Sequence, residues 1–344
     1  MSSILELPQK IVFVFVISML VALQGVASAD EKDLLKGAQK EGRVTYYFAM
    51  ELPLGQFLAS TFEKKYPGIK VDIYRATSER LLTKVLAEAR SGKHAFDVVS
   101  INVEMFGVLQ RNKLIGQYRS ASYDFFPKGF VDPQNYWTAI YYNPYTVAHS
   151  TKLVKPGEAP QRWEELLDPK WKGKLGMDNT KYAWSNALLD IMGHEKAVKF
   201  LKALAAQNID YRGSYTLLAQ LMAAGEIPVC AYNSVSSIER MKEKGAPIDW
   251  VRMKSPIPAS VVAAGVAGNT VRPNAAKLFY EFLVSKEGQE GYEAHDKIVA
   301  RTDVGGRLIN EMKKLDIRPN GPSTEEEFKR GVEIFQSIFS KPKN

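Results

Sequence analysis

The sequence predicts an α/β protein of two lobes joined by extended crossings. Strand-like and amphipathic helical segments alternate along most of the chain, and 344 residues suit about two domains. Two extended apolar stretches, Thr138–Ala148 and Ser255–Asn269, interrupt the alternation where a crossing between lobes would fall. With 45% hydrophobic and 24% charged residues, the composition supports packed cores and excludes a disordered chain.

A short helix is expected over Asp33–Lys40, followed by a strand at Arg43–Phe48 rich in β-branched and aromatic residues. Pro53 opens a helix with Phe57, Leu58 and Phe62 on one face, and Pro67-Gly68 ends it. Ile69–Tyr74 alternates as a second strand. Ser78 is the expected N-cap of a helix with Leu81, Leu82, Val85, Leu86 and Ala89 as its apolar stripe. Phe96–Ser100 is a third strand, and Val103–Arg111 a helix. This spacing argues for a mostly parallel sheet covered on both faces. Ligands of such sheets bind beyond the C-terminal strand ends, here Met50-Glu51, Arg75 to Thr77 and Ser100 to Asn102.

The second pattern begins with the strand-like Thr138–Ala148, broken by Asn143-Pro144. Trp163–Leu167 reads as a short helix, Lys174–Met177 as a strand, and Tyr182–Met192 and Glu195–Ala206 as helices. Ser214 caps a further helix that Gly225 stops. Strands at Ile227–Tyr232 and Ile248–Met253, helices at Ala275–Ser285 and Glu287–His295, a polar link and a last helix at Glu325–Ser340 complete the chain.

The N-terminus reads as a processing segment. Ile11–Leu23 is a thirteen-residue apolar core, short of the roughly 20 residues that span a bilayer. Ala27-Ser28-Ala29 supplies the small residues of a cleavage site. Residues 1–29 are therefore expected to be a signal peptide, and the protein periplasmic.

Much chemistry is excluded. One cysteine, Cys230, permits no internal disulfide and no cysteine-cluster metal site, and its apolar flanks predict a buried, inert thiol. Four histidines lack zincin spacing, and no nucleophile elbow, phosphate loop or dinucleotide fingerprint occurs. The net charge of +8 selects no partner, and its dispersed basic residues give nucleic-acid binding little support. No enzyme and no cofactor is the expectation.

Specific strings then carry a resemblance. Lys152 to Pro156, Trp163-Glu-Glu-Leu-Leu-Asp-Pro-Lys-Trp-Lys-Gly-Lys174, Leu218–Glu226 and Ala275–Gln289 resemble, in order, segments of ABC-importer solute-binding proteins, with the ferric-iron-binding type closest. The resemblance implies a two-lobe, type II periplasmic-binding-protein-like fold with hinge crossings near Tyr141–Tyr145 and Pro256–Ala263. Lobe 1 would comprise residues 30–142 with 258–305, and lobe 2 residues 143–257 with 306–344. It implies a monomer that delivers a small-molecule or ion ligand to an inner-membrane permease. A sensory binding protein for a membrane kinase uses the same closure.

The implied ligand-binding set is Met50, Glu51, Arg75, Thr77, Ser78, Ser100, Asn102 and Tyr145, with Thr180, Lys181, Tyr182, Ser214, Tyr215, Tyr232 and Asn233 from the second lobe. Helix starts at Ser78, Ser214 and Thr180 or Tyr182 suit an anion. Ser78 and Ser214 read equally well as plain caps, Arg75 as a solvated strand residue and Trp184 as core. Ferric-binding members carry two consecutive tyrosines where this chain has Tyr232-Asn233. Hard Fe³⁺ needs several anionic oxygens, and Tyr232 and Glu51, with Tyr145 or Tyr182, are the donors on offer. A small anionic ligand is the expectation and a ferric ion the alternative.

Overall fold

The computed structural model describes residues 32–93, 95–180 and 182–339. The segment read as a signal peptide and the candidate residue Lys181 lie outside the described residues. A helix over residues 32–41 (α1) leads into β1 (Arg43–Phe48), α2 (Leu52–Lys65), β2 (Lys70–Arg75), α3 (Ser78–Arg90) and β3 (Val98–Asn102). A 3-10 turn, Val103–Met105, then precedes α4 (Phe106–Arg111). After β4 (Thr138–Ser150) the chain forms β5 (Leu175–Asp178), α5 (Ala183–Met192), α6 (His194–Ala205), β6 (Asp210–Arg212), α7 (Tyr215–Ala224), β7 (Val229–Ser234) and α8 (Val235–Glu243). The remainder is β8 (Ile248–Trp250), β9 (Ile257–Val266), α9 (Pro273–Val284), α10 (Lys286–Glu293), α11 (Arg307–Met312), β10 (Ile317–Pro319) and α12 (Glu325–Phe339).

The strands lie in the order β2-β1-β3-β9-β4-β7-β5-β6, with β10 beside β9 and β8 beside β4. Among the described residues parallel pairing is confined to β2-β1-β3, β7-β5-β6 and the β9-β10 pair, so the sheet is mixed rather than mostly parallel. Both long strands run between the halves. β4 pairs with β9 over Thr138–Pro144 and with β7 from Tyr145 onward. β9 pairs with β3 at Val262–Val266 and with β10 at Ile257–Ala259.

The expected break at Asn143-Pro144 is not there. β4 continues through Pro144 because the proline stands where the strand exchanges one partner for the next. A missing N–H is least costly at such a change of ladder.

Among the described residues two apolar clusters fill the interior, and the larger runs through both halves, from Val44 and Phe62 to Leu218, Cys230 and Trp250. In one, Phe62 meets Phe279 edge to face at 4.9 Å, behind the buried β1 and β3. In the other, Trp163, Trp184, Tyr232, Phe335 and Phe339 pack together, which brings α12 back onto the β5–β7 half. Asp97 ties the first half: its carboxylate accepts from the Thr45 amide at 2.6 Å, the Thr270 hydroxyl at 2.5 Å and Arg272 Nε at 2.9 Å.

Local corrections follow from packing. Of the apolar residues on one face of α2, Leu58 and Phe62 are buried, while Phe57 is exposed and lies against the His295 ring at 4.6 Å. The cap of α3 is Thr77, which accepts from the Arg80 amide at 3.4 Å, while Ser78 is the first helical residue. Ser214 does cap α7, accepting from the Leu217 amide at 3.3 Å, and Gly225 ends that helix in the left-handed region at φ 91°. Sequence periodicity did not reveal α8, α11, β6 or β10.

Candidate functional site

Each parallel strand ends where a helix begins, so the starts of α2, α3 and the Val103–Met105 turn gather at one sheet edge, and those of α5, α7 and α8 at the other. Between these edges the crossing residues of β4 and β9 form the floor.

On the first half, Met50 is buried and its carbonyl accepts from Arg75 Nε at 3.3 Å, which fixes the exposed Arg75 at the end of β2. Glu51 precedes α2 and pairs with Lys297 at 2.9 Å. Burial would raise the Glu51 carboxyl, but the Lys297 ammonium beside it holds it below the usual carboxylate range. Thr77 is exposed at its cap. Ser78 is buried, and its hydroxyl accepts from the Asn102 amide at 3.2 Å, locking α3 to the loop after β3. Ser100 faces inward: it is fully buried and accepts from the Tyr46 hydroxyl at 2.8 Å. Its side chain is core, because alternation along β3 turns it away from the edge.

On the second half, Thr180 stands in a turn that Asp178 caps, its amide and hydroxyl both donating to Asp178 Oδ1 at 2.8 and 2.6 Å. Tyr182 precedes α5 and reaches across to α3, where its hydroxyl donates to Glu79 at 3.5 Å. Tyr145, Tyr215 and Tyr232 cluster, with ring centroids 5.9 to 6.2 Å apart. Tyr232 is fully buried, stacks on Trp184 at 4.3 Å and donates to the Asp178 carbonyl. Asn233 is also buried, and donates to the Tyr215 carbonyl at 3.1 Å, bracing the start of α7.

Burial raises all four phenols. Tyr145 is pushed up to about 12, with the nearby Glu104 charge adding to the effect, and Tyr182, Tyr215 and Tyr232 also lie above the ordinary tyrosine range. They are neutral hydroxyls at physiological pH. The two residues first in line as ferric donors are therefore otherwise engaged, Tyr232 in the core and Glu51 on Lys297. Among the described residues no three His, Cys, Asp or Glu side chains gather to hold a metal.

Sequence reasoning missed Glu79, Glu104, Lys297 and Arg240. Glu104 stood two residues past the edge residue Asn102, so the strand-end rule reaches it. Lys297 and Arg240 carried no local signal. Arg240 of α8 meets Asp296 beside α10 at 3.7 Å, and a polar cavity of about 110 Å³ opens there. A larger cavity, about 650 Å³, lies on the outer side of α9 and involves none of the candidate residues.

Residues 96–301 match the family model described as bacterial extracellular solute-binding protein. The major ferric iron-binding protein of Neisseria gonorrhoeae is 24% identical over 262 residues, covering 73% of this chain and 78% of that protein. Among solved structures, the periplasmic binding protein AfuA of Actinobacillus pleuropneumoniae, with fructose-6-phosphate bound, superposes with a TM-score of 0.70 at 25% identity over 86% of this chain and 98% of that one. Iron-bound HitA of Pseudomonas aeruginosa gives 0.72 at 19% identity, over 86% and 99%. The fold is the two-lobe, type II periplasmic-binding-protein fold, with β4 and β9 as the crossing strands. With the matched segment spanning more than half its length, the chain belongs to the bacterial extracellular solute-binding protein family.

Proposed function

We propose that this protein is the periplasmic solute-binding component of an ABC importer and takes a small anionic ligand in the cleft between its lobes. It works as a monomer without catalytic chemistry, and hands its cargo to a permease in the inner membrane. The supporting observation is the convergence of helix starts from both lobes on one cleft, while Tyr232, a ferric donor expected from sequence, is buried and donates to the Asp178 carbonyl. Free N–H groups and the positive dipole ends of helices favour an anion. Among the described residues no side chain caps α2, α5 or α8, and apart from Pro53, which has no N–H, their first amides have no side-chain cap. The candidate set named from sequence is retained here for its cleft-edge members, Glu51, Arg75, Thr77, Asn102, Tyr145, Thr180, Tyr182, Ser214 and Tyr215. Met50, Ser78, Ser100, Tyr232 and Asn233 support them from behind. Residues 30–142 with 258–305, and 143–257 with 306–344, are the proposed lobes; the change of partners along β4 and the return of α12 support that division.

Ligand touching both lobes would favour the closed form by its differential affinity, which is how closure reports loading. That AfuA holds a sugar phosphate at 25% identity supports an anionic cargo. A thermal-shift screen tests this. A phosphate ester or carboxylate at 100 times its dissociation constant stabilises the native state by about 2.7 kcal/mol. A screen in which only ferric salts raise the melting temperature overturns the proposal.

A further inference from the structure

Glu104 stands in the turn directly after β3, and its surroundings are unusual for a carboxylate. Its backbone carbonyl accepts from the Ser323 amide at 3.1 Å, and one carboxyl oxygen accepts from the Asn320 side chain. Asn320 is itself fastened to the crossing strand β9: its Oδ1 accepts from the Val261 amide at 2.8 Å, and its amide donates to the Ala259 carbonyl at 2.9 Å. The carboxyl group is thus held at the floor of the cleft, where β4 and β9 cross.

The second oxygen, Oε2, is buried and has no hydrogen-bond partner among the described residues. Among the described residues no lysine, arginine or histidine forms an ion pair with Glu104. Two charges of its own sign, Glu79 on α3 and Asp190 on α5, oppose its ionisation. Its charge is felt by Tyr145 and Tyr182, the cleft tyrosines of the other lobe. Desolvation pushes the carboxyl up to about 7, so a large share is ionised at neutral pH. Leaving a buried acceptor unpaired is costly, more so for a charged one. A rigidly held carboxyl oxygen without a partner among the described residues is suited to reading a donor group on a ligand.

We propose that Glu104 contacts the ligand, its free oxygen accepting from a hydroxyl or ammonium group carried by the bound anion. The inference rests on the anionic reading above and narrows it: the cargo is a bifunctional small molecule. Its anionic head meets the helix starts, and its donor end reaches the crossing strands. A simple anion fills only the first subsite.

Matched probes test this by calorimetry on the purified protein. Glycerol 3-phosphate against propyl phosphate reads the hydroxyl arm, and phosphoethanolamine against ethyl phosphate the ammonium arm. In at least one arm the donor-bearing probe binds tenfold or more tighter, and Glu104→Gln removes most of that preference in the ammonium arm, where charge is needed. In the hydroxyl arm, Glu104→Ala serves the same purpose. Equal binding within both pairs overturns the inference while leaving the anionic reading intact, because water then satisfies Glu104. A preference that survives both substitutions also overturns it. Failure of every probe to bind overturns the anionic reading for this class and the inference with it. The wild-type comparison stands even where a variant fails to fold.

Discussion

Tyr232 lies flat on Trp184, ring centroids 4.3 Å apart and planes 7° from parallel, with its hydroxyl donating to the Asp178 carbonyl. The pair fills the core of the second lobe at the strand end nearest the cleft. A residue whose ring and hydroxyl are both spent on packing is a structural support for the site. Tyr232→Phe keeps the stack and loses one buried hydrogen bond, so urea denaturation should show a loss of about 1 kcal/mol. Affinity for ligand should hold within about twofold, and ferric salt should raise no Tyr232-dependent colour. Trp184→Ala removes the stacking partner and should cost about 3–5 kcal/mol.

The three donors converging on Asp97 imply a strong dependence of the first lobe on one carboxylate. Asp97→Ala leaves Arg272 and the Thr45 amide without their acceptor. Breaking a buried pair from one side costs about 3–5 kcal/mol. Chemical denaturation should show that loss as a lower midpoint.

Glu104 predicts a pH signature without ligand. Its folded-state value is about 7, against an ordinary 4.5. Between those values the folded protein holds a proton that the unfolded chain releases, so this group's contribution is full below about 4.5 and lost as pH rises through 7. Glu104→Gln has no such loss. It should be more stable than wild type by of order 1–3 kcal/mol at pH 8, with the difference shrinking toward pH 5. A stability difference independent of pH would contradict the assignment.

Cys230 should be inert in the native protein. It is fully buried on β7, its thiol donates to the Tyr232 carbonyl at 3.0 Å, and burial pushes its titration up to about 12. The thiolate needed for disulfide exchange is therefore scarce. A chromogenic disulfide reagent should react only on the timescale of unfolding, and at once in denaturant.

Ser214→Ala removes the cap of α7, and should lower stability by about 1 kcal/mol. The proposed anion would lose a few-fold in affinity, since the helix start frays where it meets the cleft. Unchanged stability with unchanged binding would mean that the cap contributes nothing measurable.

The alternation of strand and helix, the capped start and glycine stop of α7, the buried cysteine and the extended crossings were all legible in residue order. Each depends on local periodicity or on the conformational preference of one residue, and both survive folding unchanged. Side-chain destination was less legible. Ser100 and Tyr232 stand at the right strand ends yet point into cores, because a strand buried on both faces shows no polar alternation to tell inside from cleft. Thr77 takes the cap expected of Ser78, a shift of one residue decided by where the Asn102 amide lies. The Glu51–Lys297 pair, the Tyr182 reach to Glu79 and the pinning of Glu104 by Asn320 join residues more than a hundred positions apart. Such contacts exist only once two strands have crossed twice between lobes, and no local pattern encodes the distance between partners brought together that way.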